Sequence, residues 1–94
     1  MINPQYIMKK IDFQHFKMFQ DIAHEQIVET DARREIADIL YKNVNGVAAL
    51  DLAMRIFKSE GEMELSEEDM QILRPFVENG FTPAFIDSFN SNLK

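Results

Sequence analysis

Apolar residues along most of the chain recur at spacings of three and four, the period of an α-helix buried on one face. From Asp12 to Glu29, at 100° per residue, Phe13, Phe16, Phe19, Ala23 and Ile27 share one face. The spacing therefore predicts a first long helix. Ile11, Met18 and Ile22 fall nearly opposite that face. A helix apolar on two sides is either central to a fold or uses its second face against a partner. Pro4 marks a start near the terminus, and residues 1–11 are expected to add a short turn or stay loosely ordered.

A second helix is predicted from about Asp31 to Asn43, with Thr30 or Asp31 as its cap. Ala32, Ile36, Ile39 and Leu40 follow the i, i+4, i+7, i+8 pattern, while Arg34–Asp38 and Asp38–Lys42 pair on the wet side. Asn43–Gly46 interrupts the pattern, although a helix running through it is the alternative. A third helix, about Val47 to Ser59, is the most apolar. Val47, Leu50, Met54 and Phe57 form one stripe, and Ala49, Leu52, Ala53 and Ile56 widen it. This helix is expected to be the buried centre, ended by Gly61.

Ser66 opens a fourth helix carrying Met70, Leu73 and Val77, which Pro75 should kink or break and Asn79-Gly80 should end. Thr82 then caps a last helix with Pro83 at its first position and Ile86, Phe89 and Leu93 as its stripe. The expected fold is all-α: one domain over residues 1–94, packed as a compact bundle of four to five short helices with no sheet. Only Met63–Leu65 reads as strand, and it is too short to form a sheet alone.

Composition agrees with a globular domain, at 46% hydrophobic and 28% charged residues. The absence of cysteine removes disulfides and thiolate chemistry and fits a reducing compartment. No apolar run reaches the ~20 residues that span a bilayer, and Lys9, Lys10 and Asp12 interrupt any secretory core. The expected location is the cytoplasm, with no membrane partner.

Charge changes the picture more. Residues 1–58 hold eight basic and eight acidic side chains, whereas residues 59–94 hold two basic and eight acidic. The net charge of −6 therefore belongs to the C-terminal part, and six of its acids lie between Glu60 and Asp69. Direct nucleic-acid binding is not expected, because phosphate neutralisation needs clustered Lys and Arg.

The acidic, glycine-containing stretch Lys58–Met70 invites comparison with a helix–loop–helix calcium loop. With Leu65 at the apolar eighth position, Lys58 occupies the first ligand position and Met63 the glycine turn. Both departures are disabling, so no calcium site is expected. Gly61 as a helix terminator and Ser66 as a cap, followed by Glu67, Glu68 and Asp69 in a first turn, account for the stretch better.

Asp12-x-x-His15 and Asp21-x-x-His24 each place a carboxylate one helical turn before an imidazole. The two histidines are nine residues apart and would point in opposite directions, so they cannot share an ion. No nucleophile elbow, phosphate loop, dinucleotide fingerprint or zinc-protease motif is present. No catalytic residue, metal or cofactor is therefore assigned.

The favoured expectation is a non-enzymatic protein-interaction or regulatory module. Its candidate surfaces are an acidic patch of Glu60, Glu62, Glu64, Glu67, Glu68 and Asp69, and an apolar face of Ile11, Met18 and Ile22 that a homodimer would cover. The alternative is an acidic mimic of nucleic acid that blocks a basic site on a DNA- or RNA-handling protein. That role needs carboxylates spread over one face, whereas here they cluster. An enzyme is the least favoured reading.

Overall fold

The Phe13, Phe16 and Phe19 spacing does not belong to a helix. In the computed structural model, which describes residues 9–94, this part of the chain forms strands β1 (Lys9–Asp12), β2 (Phe16–Phe19) and β3 (Ile27–Thr30). Asp12 bends the chain between β1 and β2: its carboxylate accepts the His15 backbone N–H at 2.9 Å and lies 3.1 Å from His15 Nδ1. Phe13 and Phe16 flank this turn, stack at 6.0 Å and are fully buried. A tight turn has set two aromatics three apart on the same side, which imitates helical periodicity.

The next reversal has a similar origin. The Asp21 carboxylate accepts the backbone N–H groups of Glu25 and Gln26, and the Gln20 N–H donates to the Gln26 carbonyl at 2.9 Å. His24 sits inside this loop at φ 60, a conformation unfavourable for a side chain bearing a Cβ. β2 and β3 then pair antiparallel, from Phe16 with Thr30 to Phe19 with Ile27. Ile27, Val28 and Thr30 are β-branched, which suits the pleat.

Helices follow where helical spacing predicts them: α1 (Arg33–Asn43) and α2 (Val47–Lys58), separated by a real break. Ala32, not Thr30 or Asp31, is the N-cap residue of α1, although Asp31 accepts the Arg33 N–H at 3.1 Å. The Arg33 guanidinium also donates to the Ser59 carbonyl at 2.6 Å, tying the start of α1 to the end of α2. Gly61 lies beyond the helix, at φ +66 in the turn into β4 (Glu62–Leu65), so it is not the cap of α2.

β4 contains the short strand candidate, and it pairs antiparallel with β1, from Lys9 with Leu65 to Asp12 with Glu62. Lys9–Ile11 are therefore strand and not a loose lead-in; the rest of that expectation, residues 1–8, lies outside the described residues. α3 (Glu67–Gly80) starts at Ser66 in a full capping box and runs continuously through Pro75. Pro75 is exposed, so the carbonyl it cannot satisfy is open to water and the helix is not broken. α4 (Pro83–Asn92) has the Thr82 cap and Pro83 start as read from the sequence.

The fold is thus α+β, with four helices and two small antiparallel sheets among the described residues, and not an all-α bundle. One core joins the layers: Ile11 and Phe16 from the strands and Phe13 from the turn between them meet Ile36, Leu40, Leu52, Ile56, Leu73, Val77 and Phe89 from the helices. α4 and the residues behind it also finish the sheets. Asn92 donates to and accepts from the Lys17 backbone, Ser88 Oγ accepts the Phe19 N–H, and the Lys94 backbone exchanges two hydrogen bonds with Lys10. The side of β2 away from β3 is covered by side chains instead of a third strand. None of the described helices is long and apolar enough to cross a membrane.

Candidate functional site

α2 is apolar on most of its circumference, and α1 can cover only one side of it. Ala49, Leu52, Ala53 and Ile56 turn into the core. The stripe Val47, Leu50, Met54 and Phe57, expected to be the buried centre, faces outward: Val47 is 81% exposed and the other three are close to half exposed. Alanines at 49 and 53 explain the choice of face, because small side chains let α1 approach and larger ones would hold it away.

α1 adds Tyr41, 66% exposed, and the Arg34–Asp38 row. Between the helices runs an open groove lined by Ala37 and Ala53, with Tyr41, Met54 and Phe57 on its walls. The Arg34 guanidinium lies 5.9 Å from the Phe57 ring centre, an attraction between a cation and the negative face of the ring. At the same end Arg33 grips Asp31. First its side-chain hydrogen bond, then the Arg33 backbone N–H, hold the Asp31 carboxyl down to about 2. This two-helix face combines exposed aromatic and aliphatic side chains with charges of both signs, a composition suited to burying another protein surface.

The structure does not bring Ile11, Met18 and Ile22 to one face. Ile11 is buried in the core, Met18 is half-buried, and Ile22 stands 97% exposed on the loop between β2 and β3. The helix that would have aligned them does not exist.

The acidic residues are divided as well. Asp69 is buried and bound to Arg55 at 2.6 and 3.1 Å, and it accepts the Ser66 N–H at 2.9 Å. Burial pushes its carboxyl up, but the Arg55 and Ser66 hydrogen bonds outweigh this and hold it below the usual carboxylate range. Arg55 is raised in turn, chiefly by its bond to Asp69. Glu62 lies 2.7 Å from Lys94 Nζ, whose hydrogen bond lowers it, and Glu64 stands opposite Lys10 in the sheet. Glu60, Glu67 and Glu68 are exposed.

The two histidines belong to different surfaces. His15 stays with Asp12, whereas the His24 ring stacks on Phe19 at 3.6 Å, with Nε2 2.6 Å from Asp87 Oδ2 on α4. That pair clips the β2–β3 loop to α4. Among the described residues, no group of three or more His, Asp or Glu side chains could hold a metal ion.

The two-helix face was not legible as a site, although its signal was present. Two complete stripes on α2 exceed what a helix buried on one side requires. Comparison with models of protein families, with curated proteins and with solved structures returns no match.

Proposed function

We propose that this protein is a non-enzymatic binding module that engages a protein partner through the outer face of α1 and α2. The observation that carries this reading is the exposed row of Val47, Leu50, Met54 and Phe57 beside Tyr41. Exposing such side chains to water forgoes roughly 25 cal/mol for each Å² that a partner would bury. The partner is taken to be cytoplasmic, since a chain without cysteine needs no oxidising compartment. Nucleic-acid mimicry draws less support: Asp69 is committed to Arg55, Glu62 to Lys94, and Glu64 faces Lys10.

The test is a photo-reactive amino acid placed in the native host at Leu50 or Met54, with Gln71 on α3 as the control. Adducts to protein at the two stripe positions, in excess of the control, are expected. Labelling at the stripe no higher than at Gln71 overturns the reading, and so does an internal adduct to residues 1–8.

A further inference from the structure

We infer that the partner of this face is a second copy of the same chain, docked with the two α2 helices antiparallel. The inference rests on the binding-module reading above and names its partner.

The first support is the spacing of the stripe. Val47 and Leu50 lie as far before Leu52 as Phe57 and Met54 lie after it. A two-fold contact requires each residue to meet the counterpart of its own partner. An axis crossing the face level with Leu52 meets that requirement: Leu50 opposes Met54 of the second copy, and Val47 opposes Phe57. The small Val47 meets the large Phe57 at both ends, so the face fits itself without two aromatics colliding.

Charge gives the second support. The chain carries −6, yet the charged side chains that line the groove are one basic and one acidic, Arg34 and Asp38, so the face itself is balanced. The net negative charge that would drive two copies apart lies elsewhere in the chain. Asp51 and Lys58 border the stripe on one side, at nearly the same helical angle. The antiparallel arrangement turns Lys58 of each copy toward Asp51 of the other, about five residues or ~7.5 Å along the axis, within reach of a lysine stem and of the Asp51 oxygen that Arg55 Nε, 2.8 Å from Oδ2, does not hold.

Area sets the expected strength. A stable dimer buries about 800 Å² per partner, about one-eighth of the 6482 Å² this chain exposes. The stripe of one helix is too narrow to supply that. The two-helix face is roughly 18 Å long and ~20 Å wide, about 360 Å² in flat projection before the relief of Tyr41 and Arg34 is added, which puts the dimer at the small end of specific interfaces and makes it dissociate on dilution. Two such faces together make a four-helix layer, a packing that antiparallel hairpins readily adopt.

Sedimentation of the full chain tests the inference directly. Over a wide concentration range the mass should rise to twice the 11.0 kDa of one chain. Met54→Glu should halve it while leaving the circular dichroism spectrum unchanged. Register is read by disulfide trapping, which the cysteine-free sequence allows without background. Mixed Leu50→Cys and Met54→Cys chains should cross-link faster than either variant alone. A monomer at every concentration overturns self-association, while photo-adducts to other proteins at Leu50 would still uphold the binding module. A dimer in which Leu50→Cys links to itself as fast as to Met54→Cys overturns the antiparallel register.

Discussion

Asp69 shows how one residue changes meaning between sequence and structure. Ser66 and three acids in a first turn were readable from the sequence, because capping chemistry is local. That the third acid would turn inward to Arg55, fourteen positions earlier, was not readable, because α2 and α3 meet only in the folded molecule. Asp69→Ala removes the reciprocal half of the capping box and leaves the Arg55 guanidinium without its buried partner. The expected loss is about 2 kcal/mol at neutral pH, read as a lower urea midpoint with an unchanged slope. The acid limb gives a second check. A carboxylate with a depressed folded value contributes stability that is complete above its unfolded value, near 3.8 here, and is lost as pH falls through the folded value. The wild type should therefore lose stability below about pH 4, and Asp69→Ala should lose less over the same interval. Asp31, held at about 2, titrates in that window too, so some acid sensitivity should persist in the variant.

Among the elements, the helices with caps were found, and of the strands only β4 was glimpsed, as Met63–Leu65. α4 announces itself by Thr82 and Pro83, and α3 by Ser66. By contrast β1 pairs with a strand at least fifty positions away, which no local pattern encodes. The turns at Asp12 and Asp21 are built by side chains accepting backbone N–H groups, a competitor to helix that apolar spacing does not register. In α2 the element was right and its orientation wrong, and stability can test the correction. Leu52→Ala and Ile56→Ala remove fully buried side chains and should each cost about 2–5 kcal/mol. Leu50→Ala and Phe57→Ala act on the half-exposed stripe and should each change the stability of the isolated chain by about 0.5 kcal/mol. Thermal melts of the four variants at low protein concentration decide it. Equal losses for Leu50→Ala and Leu52→Ala would mean that the stripe is buried after all.

At the scale of the molecule, the two minimal sheets among the described residues stand without a third strand because the C-terminal helix and tail take that strand's place. A two-stranded ribbon is marginal alone, and its outer edges present unpaired backbone groups. On β2 that edge is met by Asn92, whose Oδ1 accepts the Lys17 N–H at 3.1 Å and whose Nδ2 donates to the Lys17 carbonyl at 2.9 Å. A primary amide offers the same donor and acceptor as a peptide, so one side chain reproduces a ladder pair. Asn92 also donates to the Ser88 carbonyl, which fixes its rotamer on α4. These groups are partly open to water, so Asn92→Ala should cost only about 1 kcal/mol overall. The local effect should be larger and confined to the edge. Amide exchange at Lys17 should speed markedly in the variant, while the Lys10 amide, held by the Lys94 carbonyl, should keep its protection at matched stability. Asn92→Asp is the sharper probe, because it keeps an acceptor for the Lys17 N–H and loses the donor to the Lys17 carbonyl. Protection at Lys17 should then survive largely intact. If Lys17 exchanges at the wild-type rate in Asn92→Ala, the edge of β2 is satisfied by something other than α4, and the two sheets owe their persistence to the core alone.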